Sequence, residues 1–273
     1  MFYNITRYHQ GYFMMKISVV LTTKNEERNI GKLLDSLMTQ EEPYEVLVID
    51  SDSTDKTQHI VKNYSKKNKN IKLFLHPGTR AESMNFGIKK ATGGAVAFIG
   101  GDDTADKNWI KEIRNAIKNS DIVVGDLIST DDERVKNIEN VKLFHKGINI
   151  SYPGTNTIYK KEILNKLGGF DSWFSSAEDL EINLRAVEAG YKIAENKKVK
   201  VYYRPKGTPL TFLKQSFWYG YGRKLIGLKH GRIWEKHSIL DVVTTQKSFF
   251  GLIRLLIGFL GYIYCVVTIR KYK

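Results

Sequence analysis

The chain has 273 residues, 42% hydrophobic and 26% charged, which supports one large domain or two small ones and excludes an extensively disordered protein. A single cysteine, Cys265, excludes an intramolecular disulfide and a thiolate zinc cluster and fits a reducing compartment. The net charge of +14 is uneven: from Lys200 to Lys273 fourteen Lys and Arg face two acids, Glu235 and Asp241, so the first 199 residues carry only +2.

Residues 1–15 are too polar for a signal-peptide core and read as an N-terminal extension, with Met14 or Met15 as alternative starts. With no sign of secretion, the glycosylation-like triplets at Asn4, Asn63 and Asn149 are taken as chance. A first strand is expected over Ile17–Leu21, followed by a polar loop from Thr22 to Glu27. A helix follows, with Ile30, Leu33, Leu34, Leu37 and Met38 at helical spacing. Val46–Ile49 reads as the second strand, ending in Asp50-Ser51-Asp52-Ser53-Thr54-Asp55. A helix through Ile60, Val61 and Tyr64, a strand Ile71–Leu75 and a helix near Ala81–Ala91 come next. Strands alternating with helices imply right-handed βαβ crossovers and a parallel sheet. The first loop has no glycine before Gly31, so the Rossmann fingerprint is absent and a dinucleotide oxidoreductase is disfavoured.

The run Ala95–Ile99 reads as a central strand buried on both faces, and it stops at Gly100-Gly101-Asp102-Asp103. Ligands of open α/β sheets bind outside the carboxyl ends of the strands. Adjacent carboxylates there repel unless a cation or proton lies between them, and Mg²⁺ uses one or two carboxylates plus substrate phosphates. The same acids also suit an acidic turn capping a helix near Asp106. Both readings stand at this point.

Further on, a helix near Lys107–Lys118, a strand Ile122–Val124, a short strand Asn156–Tyr159 and a helix Lys161–Leu167 stopped by Gly168-Gly169 are expected. Glu178–Ala189 reads as a helix with Gly190 at its C-terminus, and Val199–Tyr203 as a strand closed by Pro205. From Phe249 to Ile269 only Arg254 interrupts an apolar stretch of 21 residues. About 20 apolar residues can span a bilayer, and an arginine near one end can snorkel, yet only 15 residues separate Arg254 from Arg270. A spanning helix, an interfacial helix and a soluble docking helix all fit. Lys247 on one side and Arg270, Lys271 and Lys273 on the other leave the orientation open. A basic, aromatic region running into an apolar segment suits an anionic membrane surface, where each nearby Lys or Arg contributes about 1 kcal/mol, better than it suits nucleic acid.

Three blocks then form a pattern. Ser18-Val19-Val20-Leu21-Thr22-Thr23-Lys24-Asn25-Glu26-Glu27 resembles the opening of family 2 glycosyltransferases. Val48–Asp55 resembles their second strand and its acidic, serine-rich turn. Gly168-Gly169-Phe170-Asp171 and Glu178-Asp179-Leu180-Glu181-Ile182-Asn183-Leu184-Arg185 resemble their acceptor-side segment. The resemblance covers roughly residues 16–225.

It implies a GT-A fold, an α/β/α sandwich with a mixed, mainly parallel sheet, followed by a helical, membrane-associated C-terminal tail. Residues 16–104 would form the nucleotide-sugar half, 105–225 the acceptor half and 226–273 the basic, apolar tail. The implied reaction is inverting transfer of a sugar from a UDP- or GDP-type donor to a lipid-linked or surface-polysaccharide acceptor, at the cytoplasmic side of a membrane. Thr22, Thr23, Asn25, Glu26, Asp50 and Asp52 would line the nucleotide site. Arg80 would reach the nucleotide or diphosphate as a planar multi-donor group. Asp102, helped by Asp103, would hold Mg²⁺ or Mn²⁺, and Asp179 would be the general base, with Glu178 as the second candidate.

Two departures qualify the likeness. An acid is usual two positions before Asp102, where this chain has Gly100. Gln215-Ser216-Phe217-Trp218-Tyr219 lacks the arginine of processive synthases, which favours addition of a single sugar. Trp218, Tyr219, Tyr221 and Arg223 suit either the acceptor entrance or aromatic packing. A polyprenyl-phosphate sugar synthase and a non-catalytic nucleotide-sugar-binding scaffold are the alternatives.

Overall fold

The computed structural model describes residues 15–130, 142–204, 209–231 and 249–269. Most of the expected N-terminal extension, Pro205 and the flanking residues Lys247, Arg270, Lys271 and Lys273 lie outside the described residues.

The first half alternates as expected: β1 (Ile17–Thr23), α1 (Ile30–Met38), β2 (Tyr44–Asp50), α2 (Thr57–Lys67), β3 (Ile71–Leu75), α3 (Arg80–Lys90) and β4 (Ala95–Gly100). Next come β5 (Asp103–Ala105), α4 (Trp109–Ile117), β6 (Ile122–Ser129), a hairpin of β7 (Phe144–His145) and β8 (Ile148–Asn149), β9 (Thr157–Lys160), α5 (Lys161–Leu167), α6 (Glu178–Glu188) and β10 (Ile193–Tyr203). Two long helices, α7 (Pro209–His230) and α8 (Phe249–Thr268), end the described chain. α7 runs without interruption through position 225.

One eight-stranded sheet runs in the order β3-β2-β1-β4-β9-β6-β10-β5. The pairs β1–β2, β1–β4, β2–β3 and β6–β10 are parallel, whereas β9 is antiparallel to β4 and β6, and β5 to β10. The sheet is therefore mixed and mainly parallel. Alternate residues of each strand face opposite layers. Val19, Leu21, Val46, Val48, Ala97 and Ile99 pack with α1, α2 and α4, while Val20, Leu47, Ile49, Val96 and Phe98 pack with α3, α5 and α6. A third cluster joins Leu180, Leu184 and Val187 on α6 to Tyr221, Leu225 and Ile226 on α7 and Cys265 on α8.

The acidic-cap reading of Asp102-Asp103 is overturned. Asp103 opens β5, and α4 begins only at Trp109 after Asn108, whose side chain makes no capping bond. β10 also starts upstream of the expected Val199, because a register shift between Asn196 and Lys200 interrupts the pattern.

The edge of the sheet holding the N-terminal ends of the parallel strands contains a buried charge that is structural. The Glu45 side chain is 1% exposed, and its Oε1 accepts bonds from Ser18 Oγ at 2.8 Å and from the Thr92 amide and hydroxyl, each at 2.7 Å. Lys72 and Lys16 lie 3.2 and 3.3 Å from Oε2. Burial alone would raise this carboxyl, but the Thr92, Ser18 and Lys72 bonds together hold it at about 2. Its folded value is thus below its unfolded one, so the stabilisation is complete above about pH 4.5 and is lost as pH falls toward 2. In urea unfolding of the detergent-solubilised chain, Glu45→Gln is expected to lower stability at pH 7 by about 3 kcal/mol. The gap to the wild type should narrow steadily as the pH is lowered below 4.5.

Candidate active site

The opposite edge carries the carboxyl ends of β1, β2 and β4. Thr23 is in register with Asp50, and Thr22 with Gly100. The chain leaves β1 toward β2 and β3, then returns to place β4 on the other side of β1. Such a reversal opens a crevice outside the strand ends. Its nucleotide-side wall is two loops stitched together: the Asn25 amide donates to Ser53 Oγ, the Thr54 amide to Asn25 Oδ1 and the Glu26 amide to Thr57 Oγ1, each at 2.8 Å. The left-handed backbone at Asn25 (φ 57°) and Asp52 (φ 56°) turns these loops, and Asn and Asp tolerate that region better than most residues.

Asp50, expected to line the nucleotide site, ends β2 at this wall. It is fully buried; its Oδ1 accepts the Ser53 amide at 2.9 Å and Gln58 Nε2 at 2.8 Å, and its Oδ2 accepts Ser53 Oγ at 2.5 Å. Asp50 thereby shapes the turn from within, leaving Asp52 exposed at its tip. Thr23 Oγ1 is buried with no hydrogen-bond partner among the described residues. A Cβ built on Gly101 would lie 3.5 Å from that hydroxyl and 3.1 Å from Glu26 Cγ, so Thr23, Glu26 and the Gly100–Asp103 turn meet at one point.

The two acids of that turn have separate positions. Asp103 is 5% exposed, and its Oδ2 accepts the Gly100 amide at 2.8 Å and Thr155 Oγ1 at 2.6 Å. Burial, with the neighbouring Asp102 charge adding to it, pushes this carboxyl up to about 6 against the opposing pull of Thr155, Gly100 and Arg80. Asp102 is half-buried. A Cβ on Gly100 would sit 2.8 Å from Asp103 Oδ2 and 3.2 Å from Asp102 Oδ1, so the place of the missing acid is filled by the Asp103 carboxylate folding back over the turn.

The facing wall is the start of α6, entered through Ala177 in the left-handed region (φ 67°). Asp179 is half-buried; its Oδ2 accepts the Gly154 amide at 2.8 Å and its Oδ1 the Leu180 amide at 2.8 Å. Glu178 is buried, 3.5 Å from Arg80 Nε. Burial pushes its carboxyl up; Arg80 opposes this and Asp179 reinforces it. A Cβ on Gly154 would lie 3.0 Å from Arg80 Nη2 and 3.4 Å from Asp179 Cβ. Arg80, at the start of α3, thus lies between the Asp102-Asp103 corner and the Glu178-Asp179 pair.

Residues 154–156 are the part that sequence reasoning missed. Gly154 holds Asp179, Thr155 holds Asp103, and Asn156 anchors both from below. Fully buried with φ 53°, Asn156 accepts Trp109 Nε1 at 2.9 Å and donates to the Asp126 and Val199 carbonyls at 2.9 and 3.0 Å. The signal available was the turn-forming Pro153-Gly154 pair ahead of a short strand.

α7 packs on the same wall. Ser176 Oγ donates to the Trp218 carbonyl at 3.1 Å, and a Cβ on Gly222 would meet Ala177 Cβ at 2.7 Å. Fully buried Glu181, paired within α6 to Arg185 Nη2 at 2.7 Å, ties the far end of α7 to α6 through His230 at 3.1 Å and Lys229 at 3.3 Å. Among the described residues no group of three or more His, Cys, Asp or Glu side chains is arranged to hold a metal by itself. The donor set at Asp102-Asp103 fits a hard cation whose remaining ligands come from a diphosphate.

Comparison with known proteins bears on the fold and the family. Among curated proteins, a Methanococcus voltae dolichyl N-acetyl-α-D-glucosaminyl phosphate 3-β-D-2,3-diacetamido-2,3-dideoxy-β-D-glucuronosyltransferase is 28% identical over 240 residues, covering 77% of this chain and 73% of its own length. Among solved structures, the S. aureus TarS 1–349 fragment in complex with UDP-GlcNAc superposes with a TM-score of 0.59 at 22% identity, over 85% of this chain and 71% of the fragment. The mannosyltransferase PcManGT from Pyrobaculum calidifontis, in complex with GDP-Man and Mn²⁺, gives a TM-score of 0.62 at 16% identity, over 98% of this chain and 82% of its own. These likenesses establish the GT-A fold expected from the sequence. The family model for glycosyl transferase family 2 matches residues 18–174, more than half of the chain, and this protein belongs to that family of glycosyltransferases.

Proposed function

We propose that the protein transfers a single sugar, with inversion, from a nucleotide-diphosphate sugar to a lipid-linked acceptor at a membrane surface. The observation that carries this reading is the convergence of the Asp102-Asp103 corner and Asp179 on the turn 154–155, with Arg80 between them. A donor whose diphosphate lies at Asp102 would present its anomeric carbon toward α6. The lipid-linked acceptor is supported by the relative whose name specifies a dolichyl-linked sugar phosphate. The neighbours solved with UDP-GlcNAc and GDP-Man leave both nucleotide types open.

In this reading Asp179 is the base. Adjacent Glu178 is buried against Arg80, whereas Asp179 is more accessible and is aimed by the Gly154 amide. The acceptor hydroxyl gives its proton to the Asp179 carboxylate as its oxygen bonds to the anomeric carbon. The bond from that carbon to the diphosphate oxygen breaks, and its electron pair leaves with the nucleoside diphosphate. Mg²⁺ or Mn²⁺ held at Asp102, with Asp103 behind it, would supply charge neutralisation for that leaving group. Arg80 adds fixed positive charge on the same side, and Thr22, Thr23, Asn25, Glu26 and Asp52 form the nucleotide wall that Asp50 holds in shape.

The membrane placement rests on α8. Its Gly251–Thr268 window has a mean hydropathy of 1.9 and is 17% buried. Leu252, Leu256, Phe259, Leu260, Ile263, Val266 and Val267 stand exposed along it. Twenty helical residues reach about 30 Å, and an apolar face of this length is not left in water by soluble monomers. Lipid on that face would hold the catalytic domain at a membrane surface, and we assign that domain to the cytoplasmic side.

Asp179→Asn is expected to lower kcat about 10²- to 10⁴-fold in a radiolabelled-sugar transfer assay while leaving the donor KM nearly unchanged. Equal loss in Glu178→Gln with Asp179→Asn fully active would move the base to Glu178. Undiminished transfer by Asp179→Asn to a polyprenyl phosphate would identify a phosphate oxygen as the nucleophile and make the enzyme a polyprenyl-phosphate sugar synthase. Asp102→Ala is expected to weaken UDP- or GDP-sugar binding by calorimetry about tenfold or more in Mn²⁺, some 1.4 kcal/mol. EDTA should reproduce that loss in the wild type and add little to the variant; tight donor binding that ignores both would contradict the metal assignment.

A further inference from the structure

Arg80 carries the positive charge between the two walls of the crevice, and its surroundings differ on its two sides. It opens α3 behind a capping box, in which Thr79 Oγ1 accepts the Glu82 amide at 3.3 Å and Glu82 Oε2 accepts the Thr79 amide at 2.7 Å. That box fixes where the side chain leaves the backbone. On the inner side, Nε lies 3.5 Å from Glu178 Oε1, and the Glu178 side chain is 8% exposed against 52% for Arg80. Nη2 lies 3.0 Å from where a Cβ on Gly154 would stand. Glu178 is the one acid paired with Arg80 among the described residues, and the outer face of the guanidinium is open to a multi-oxygen acceptor.

A buried carboxylate next to a second carboxylate is costly to ionise unless a cation is paired with it. Arg80 and Asp179 are the two charges that act on Glu178: burial and Asp179 raise its carboxyl, and Arg80 opposes them. Around the pair, α7 brings Tyr219, whose hydroxyl lies in the field of Asp179 and Arg80. β5 brings Asp103, also in the field of Arg80, and the turn 154–155 has no titratable side chain. A diphosphate at the Asp102-Asp103 corner competes with Glu178 for the same guanidinium, and its oxygens match the fork better than one carboxylate held at a single nitrogen. Once Arg80 turns to the diphosphate, Glu178 is a buried carboxylate beside Asp179 with its cation withdrawn, which favours its neutral form.

We propose that Glu178 is a positioning residue for the donor: it holds Arg80 in the crevice while the donor is absent, yields it to the diphosphate, and takes up one proton from solvent in exchange. This rests on the proposed donor site and adds to it a linkage between donor binding and protonation. The neutral Glu178 also removes a negative neighbour from Asp179, which keeps the base ionised for the acceptor hydroxyl. Because the proton is bound more tightly with the donor present, the Glu178 contribution favours binding at low pH and is lost as pH rises.

The test uses the full chain in detergent with saturating Mn²⁺ and with UDP-GlcNAc and GDP-Man as probes, since neither diphosphate binds a proton near neutrality. Calorimetry in buffers of different ionisation enthalpy should show proton uptake on wild-type binding near neutral pH. R80Q should bind more weakly and without that uptake, a comparison that stands even where a Glu178 variant unfolds. E178Q imitates the protonated acid, so it should match the wild-type affinity near about pH 6 and exceed it about three- to tenfold near about pH 8. Asp103, raised to about 6, titrates in both proteins, so the ratio of their affinities isolates Glu178. In the R80Q background the same substitution should change little, because both residues act through one ion pair. E178D retains the carboxylate and should retain the uptake. Buffer-independent heats in the wild type, a pH-independent affinity ratio, or weaker binding by E178Q at every pH would overturn the exchange while leaving the donor site in place. Failure of the wild type to bind either probe would refute the donor site, and the exchange with it.

Discussion

Everything at the catalytic edge hangs on the turn formed by Gly154, Thr155 and Asn156. Its three residues take hold of three parts of the molecule: Asp179 by a backbone amide, Asp103 by a hydroxyl, and the β6–β10 junction by a buried side-chain amide. The bonds to Asp103 and Asp179 span 52 and 25 residues of sequence. One short segment therefore sets the spacing between the acid corner and the α6 carboxylate. Asn156 makes that segment rigid, since its side-chain oxygen and amide are satisfied inside the protein and its backbone occupies a conformation that few side chains favour.

Opposite ends of the sheet divide the work. At the amino ends, Glu45 is buried, multiply bonded and held strongly acidic, which suits a permanent structural charge. At the carboxyl ends, Asp103 and Glu178 are also buried but are shifted upward, each beside another carboxylate and within the field of Arg80. Groups perturbed in this second way, in a cleft, are the ones that cluster at functional sites. The third layer extends the division: Glu181 with Lys229 and His230 docks α7, α7 carries α8, and α8 turns its apolar face outward.

Much of this was legible in the sequence, for identifiable reasons. Val46–Ile49 and Ala95–Ile99 are apolar runs with one outcome in a parallel sheet, and Ile30 to Leu37 follow the helical repeat. Asp102-Asp103 stood out because two adjacent carboxylates end a buried strand, and Glu178-Asp179 through the family resemblance alone, since acids are ordinary at a helix start. Elements of two or three residues, such as β5, β7 and β8, offer no period to read. The upstream half of β10 was hidden because Glu195, Asn196, Lys197 and Lys198 surround its irregularity. α7 was missed because it packs on α6 by one face and on α8 by another, so its apolar residues are spread around the helix. The internal bonds of Asp50 were hidden for a different reason: a carboxylate at a strand end is equally able to face a ligand or to tie its own turn, and Ser53 and Gln58 lie within reach only once the chain has folded. Gly100, an apparent defect in the metal motif, is the residue that leaves room for the Asp103 carboxylate.

The proposed reaction has one stereochemical course: the acceptor hydroxyl, giving its proton to Asp179 on α6, would attack the anomeric carbon from the side opposite a diphosphate held at Asp102. The anomeric configuration of the product, read by proton NMR after transfer from an α-linked UDP- or GDP-sugar, tests this most directly. A β-linked product is the expected result. An α-linked product would contradict the placement of Asp179 as the base.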